Sequence, residues 1–156
     1  MLALLAQSPA AFITVSLLMG LLIGSFLNVV IYRLPLMMET RWRSDCCELL
    51  EVEQEKPEAT LNLATPNSHC PVCKTAIKPW QNIPVLSYLL LRGKCGSCAT
   101  KISPRYPFLE LVAGVMTVAL AWFFDLSPAL FGAALLTWAL IALTMIDIDH
   151  QLLLDD

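Results

Sequence analysis

Three stretches without a charged side chain limit what this chain can fold into. Residues 10–31, 111–124 and 126–146 contain no Asp, Glu, Lys or Arg. A helix needs roughly 20 residues to cross the hydrocarbon core of a bilayer. The first and third stretches meet that length. The second is bounded by Glu110 and Asp125 and meets it when its helix starts near Tyr106 or Pro107, with Glu110 in the interface. The chain is 57% hydrophobic and 15% charged, against about 45–50% and about 25% for soluble domains. Two uncharged runs of this length seldom lie inside a soluble fold, so a buried helical hairpin is a poor alternative. A cleaved signal peptide fits no better, because no Lys or Arg precedes the first run. That run also exceeds the apolar core of a signal peptide, about 7–15 residues.

Charge gives the orientation. All ten Lys and Arg residues lie between Arg33 and Arg105. Positive loops stay inside, so this segment is expected in the cytoplasm, with the N-terminus on the far side. The second helix then runs outward, Asp125-Leu-Ser-Pro128 turns, and the third helix returns Asp147, Asp149 and His150 to the cytoplasmic face. The expected organisation is a first transmembrane helix over 1–32, a cytoplasmic loop over 33–105, further transmembrane helices over 106–125 and 126–148, and the start of another cytoplasmic segment over 149–156. The fold class is an all-α polytopic membrane protein with an inserted cytoplasmic zinc-knuckle loop.

The zinc assignment comes from Cys70-Pro-Val-Cys73 and Cys95-Gly-Ser-Cys98. Two C-x-x-C knuckles at this separation are the sequence form of a four-thiolate zinc site. A reducing cytosol disfavours structural disulfides. A redox C-x-x-C would need one motif at a strand–helix junction rather than two. The loop has too few apolar residues for a core of its own, and structural zinc supplies on the order of 10 kcal/mol of folding free energy to such modules. Cys70, Cys73, Cys95 and Cys98 are therefore the expected ligands. Cys46 and Cys47 have no matching pair, and His69 is superfluous once four thiolates close the shell.

The other polar features are less specific. Glu48, Glu51, Glu53, Glu55 and Glu58 mark a solvated insertion. The loop's net positive charge is small, so no nucleic-acid partner is expected. Acids at the rim of a span are functional candidates by default. Asp147 lies deepest at the end of the third span, and Asp149 reads as a residue leaving the membrane. Side chains two apart on a helix point about 200° from each other, so these two do not form one dyad.

Gly24-Ser-Phe-Leu-Asn-Val-Val-Ile-Tyr-Arg-Leu-Pro35, the two knuckles, Asn82-Ile-Pro-Val-Leu-Ser-Tyr88, Arg92-Gly-Lys-Cys95, Ile102-Ser-Pro-Arg-Tyr-Pro107 with Leu109-Glu110, and Asp147-Ile-Asp-His-Gln-Leu-Leu153 occur in this order. The set resembles the type IV prepilin peptidases over nearly the whole chain. The resemblance implies a polytopic aspartic protease of the bacterial inner membrane. Its substrates would be type IV prepilins or type II secretion pseudopilins, cut at the cytoplasmic face. It also implies N-methylation of the new N-terminus with S-adenosylmethionine, although no residue here marks a pocket for that cofactor. Asp147 matches the family's first catalytic aspartate, and Asp149 does not match a catalytic position. Glu110 faces either substrate or cofactor, or is an acid of the membrane interface, the latter being slightly favoured.

Two departures stand out. Leu154 occupies a position where the family usually has Pro. The second catalytic aspartate belongs to a G-x-G-D motif expected on a later helix, so the chain reads as the N-terminal portion of the enzyme. The alternatives are a non-catalytic membrane adaptor that uses its zinc loop to bind a partner, and a zinc-sensing or redox membrane protein.

Overall fold

The computed structural model describes residues 8–52, 62–65 and 68–150, and it is built from helices. The expectations placed on Glu53, Glu55, Glu58, Leu154 and the remainder of 151–156 lie outside the described residues.

Helix α1 spans Pro9–Leu49. Ser8 caps it, with Oγ accepting the Ala11 N–H at 3.4 Å, and Pro9 sits where a missing N–H costs nothing. At 41 residues the helix is about 60 Å long, twice a hydrocarbon core. Its apolar first part is long enough to cross a membrane. It continues past residue 32 as helix, passing through Pro35, which removes one backbone donor without ending the element. The extension carries Arg41, Arg43, Asp45 and Glu48, a composition suited to water rather than lipid.

Two short elements follow in the polar segment, a 3-10 turn at Pro79–Asn82 and helix α2 at Leu86–Leu90. Helices α3, Arg105–Phe124, and α4, Pro128–His150, form an antiparallel hairpin. Ser127 stabilises its turn: Oγ donates to the Phe124 carbonyl at 2.8 Å and accepts the Leu130 N–H at 3.4 Å. Helices α1, α3 and α4 are each long and apolar enough to cross a membrane, and only 22%, 33% and 22% of their apolar windows are buried. Leu22, Phe26, Val115, Phe123, Leu135 and Leu136 all face outward. Such a surface calls for lipid or further protein rather than water.

The core sits where the three helices meet. Leu27 and Ile31 of α1, Leu109 of α3, and Ala142 and Ile146 of α4 are buried together. The closest approach is between α1 and α3 and is made by small residues. A Cβ added at Gly24 would lie 2.7 Å from Glu110 Cα, and one at Gly20 would lie 2.8 Å from Gly114 Cα. Gly20-Leu-Leu-Ile-Gly24 is thus a G-x-x-x-G contact, the arrangement that lets two membrane helices approach backbone to backbone. Next to it, Trp138 Nε1 of α4 donates to Thr117 Oγ1 at 3.0 Å, and that hydroxyl donates to Ala113 O at 2.7 Å.

Candidate functional site

The cysteines form two copies of one turn. In the first, Cys70 N–H donates to Thr75 O at 3.0 Å, Lys74 N–H donates to Cys70 O at 2.9 Å, and His69 pairs antiparallel with Ala76. In the second, Cys95 N–H donates to Thr100 O at 2.8 Å, Ala99 N–H donates to Cys95 O at 2.9 Å, and Lys94 pairs with Lys101. Lys74 and Ala99 hold matching positive φ angles of 58° and 56°. The sequence carries the repeat as Cys-x-x-Cys-x-Thr-x-Ile at residues 70–77 and 95–102. The threonines of this repeat stand beside cysteine sulfurs, a placement that the spacing of cysteines alone does not reveal.

This folding brings the sulfurs of Cys70, Cys73, Cys95 and Cys98 within 4.8 Å of one another, with Cys70 and Cys98 3.7 Å apart. A tetrahedral thiolate site with metal–sulfur bonds of about 2.3 Å has edges of about 3.8 Å. A disulfide would need about 2.05 Å. The cluster therefore suits a tetrahedral metal ion, and all four cysteines are free. Cys46, Cys47 and His69 are not part of it.

Local donors favour thiolates. Cys73 is held below the usual thiol value first by the Thr75 hydroxyl and then by the Thr75 N–H. Thr100 acts on Cys98 in the same way, with Oγ1 3.2 Å from Sγ. The N–H groups of Cys98 and Ser97 lower Cys95. Cys70 receives N–H groups from Cys73 and Val72, yet its burial and the neighbouring thiols of Cys73 and Cys95 outweigh them and push it up. A divalent cation would supply the compensating charge that this buried sulfur lacks.

The knuckle module is tied to the helices through backbone groups. Arg33, buried on α1, donates from Nη1 to the carbonyls of Asn62 at 2.9 Å and Leu63 at 3.3 Å. Glu110, buried on α3, accepts the Val85 N–H at 2.7 Å. Val85 holds φ at 57°, a strained angle for a β-branched residue, directly at the start of α2. Glu110 is thus occupied in holding this strained turn, a long-range role that its position in the sequence does not disclose. Asn28 Nδ2 donates to Tyr106 O at 3.2 Å, joining α1 to the start of α3.

The second candidate site is the end of α4. Asp147 is exposed next to buried Ile146 and has neither a hydrogen bond nor an ion pair among the described residues. Asp149 differs: the Arg105 guanidinium grips both of its oxygens, at 2.7 and 2.6 Å, from the first residue of α3. The structure therefore separates the two aspartates by environment as well as by direction. The cysteines and Asp147 are not brought into one site.

Residues 18–124 match the family described as Bacterial Peptidase A24 N-terminal domain. The chain is 50% identical over 151 residues to a prepilin leader peptidase/N-methyltransferase of Stutzerimonas stutzeri, covering 97% of this chain and 52% of that protein. The Neisseria gonorrhoeae protein of the same name is 51% identical over 149 residues, covering 95% and 52%. That of Legionella pneumophila is 46% identical over 153 residues, covering 98% and 53%. The chain thus spans about half the length of the curated relatives it matches. No solved structure matches it significantly. With this match running from α1 through the cysteine module to the end of α3, the chain belongs to the bacterial A24 peptidase family.

Proposed function

We propose that the protein is a membrane aspartic endopeptidase that cleaves the leader of type IV prepilins or pseudopilins at the cytoplasmic face of the bacterial inner membrane. The observation that carries this reading is the 50% identity over 97% of the chain to a prepilin leader peptidase/N-methyltransferase. The geometry supports it at Asp147, an exposed carboxylate with no hydrogen bond or ion pair among the described residues, at the end of an apolar helix. Aspartic catalysis uses two carboxylates in different protonation states, one activating water and one donating a proton. Asp147 is proposed as one of them. Asp149, with both oxygens held by Arg105, is suited to orienting the end of α4 rather than exchanging protons.

Zinc is the proposed occupant of the four-cysteine cluster, held by Cys70, Cys73, Cys95 and Cys98. A closed thiolate shell leaves no position for substrate, so its role is to fold the module. The proposed N-methylation with S-adenosylmethionine rests on the relatives' activity. The cavity beside the second knuckle does not fit that cofactor. Arg92, Lys94 and Lys101 line it and no acid does, so it offers a counter-charge to the carboxylate of S-adenosylmethionine but none to its sulfonium and ammonium cations.

The test is leader cleavage by the protein as it occurs in the cell. Asp147→Asn is expected to lower the rate by at least about 10²–10⁴-fold, since an amide neither shares a proton nor activates water. Asp149→Asn is expected to keep substantial activity. Wild-type cleavage by the Asp147→Asn protein would overturn the assignment.

A further inference from the structure

Between Glu58 and Glu110 the sequence contains no Asp or Glu, while it contains Lys74, Lys78, Arg92, Lys94, Lys101 and Arg105. Arg105 is paired with Asp149, but Arg92, Lys94 and Lys101 have no acidic partner among the described residues. These three line one cavity of about 440 Å³, together with Tyr88 and Ser103. Lys94 and Lys101 stand opposite each other in an antiparallel bridge. Like charges in that position destabilise the pairing. Arg92 holds φ at 50° and Gly93 at 67°, and a Cβ at Gly93 would lie 2.8 Å from the Tyr88 hydroxyl oxygen. Fold and backbone strain thus bring three cationic residues to one cavity with no carboxylate in its lining. Compensation of the knuckles does not account for them: four thiolates and one divalent ion leave −2, while this acid-free segment carries five cations besides the paired Arg105.

The surroundings point to lipid. Ser103 and Pro104 line the cavity and immediately precede α3, one of the three candidate spans. Tyr106 and Phe108 are exposed there, at 47% and 62%, as aromatic residues at a membrane interface are. On the other flank, Leu86, Leu89 and Leu90 of α2 are exposed beside Tyr88 and Arg92. Exposed leucines on the helix next to a cluster of cations suit a membrane surface better than a soluble ion.

We propose that this cavity binds a phosphate group, supplied by the headgroup of an anionic phospholipid. Arg92, Lys94 and Lys101 take the phosphate oxygens, and the leucines of α2 rest among the acyl chains.

The experiment places the protein in nanodiscs of phosphatidylcholine with or without phosphatidylglycerol and measures retained lipid by native mass spectrometry, with metal content as the check of folding. The wild type is expected to retain phosphatidylglycerol preferentially. An Arg92→Gln/Lys101→Gln variant is expected to lose that preference about 30-fold, as removal of two cations near an anionic surface implies. Lys78→Gln, which does not line the cavity, is expected to keep it. Should the double variant lose its metal, Arg92→Gln alone is read by the same comparison. An equal loss in Lys78→Gln would reduce the effect to diffuse attraction and overturn the site. Equal retention of both lipids by the wild type would overturn it as well. Displacement of the lipid by inorganic phosphate alone would overturn the lipid source and leave a soluble-phosphate site.

Discussion

Gly24→Ala is the sharpest probe of the packing between α1 and α3. The added Cβ would lie 2.7 Å from Glu110 Cα, 3.0 Å from Ala113 Cβ and 3.2 Å from Glu110 O. Carbon atoms settle at about 3.5–4.0 Å, so the helices must separate by about 1 Å. Two of the three obstructing atoms are backbone, so no rotamer change relieves the contact. A gap of that size forfeits about a quarter to a half of each dispersion contact along the seam. Overpacking of this kind costs about 1–3 kcal/mol. Alanine meanwhile gains up to about 1 kcal/mol in helix propensity, which masks part of the loss. Gly132→Ala removes that ambiguity, because Gly132 is also helical and nothing lies within 4 Å of its Cβ position. The propensity gain is common to both variants. Gly24→Ala should therefore be less stable than Gly132→Ala by about 1–3 kcal/mol in reversible unfolding in bicelles. Equal stability of the two would refute the close approach of α1 and α3 at Gly24.

Three further outcomes follow from the same structure. The purified protein should carry about one zinc ion per chain, with Cys73→Ser or Cys95→Ser lowering metal content and exposing the module to protease; full protection without metal would contradict the site. Thr100→Val removes the hydroxyl 3.2 Å from Cys98 Sγ and should weaken metal binding by about 10–100-fold in a chelator competition, with the cysteines intact. A reporter fused after Lys78 should read as cytoplasmic and one near Ser127 as external, the reverse pattern overturning the orientation drawn from charge.

The sequence by itself determined the three helices long and apolar enough to cross a membrane and the four cysteines that cluster. Three apolar stretches became helices α1, α3 and α4, because lipid solvation acts on each residue of a segment separately and needs no knowledge of neighbours. The cysteine knuckles were legible for a related reason: C-x-x-C is a local turn, and four soft ligands have few other uses in that arrangement. The threonine repeat behind the knuckles and the Gly20/Gly24 pair are also written in the chain, although their contacts appear only in three dimensions.

The tertiary structure alone decided the pairings. Arg105 and Asp149 are 44 residues apart, Glu110 and Val85 are 25 apart, and Arg33 reaches a segment beyond the end of its own helix. Asp149 read alone is an acid leaving the membrane, and Glu110 read alone is an acid at its interface. Which cation or N–H meets each one depends on the rotation and offset of packed helices. Those are properties of pairs of elements, set by the close glycine contact and the buried cluster of Leu27, Ile31, Leu109, Ala142 and Ile146. Hydrophobicity selects the segments that enter a bilayer, but it is nearly blind to which faces meet there, because lipid and leucine solvate an apolar side chain almost equally well.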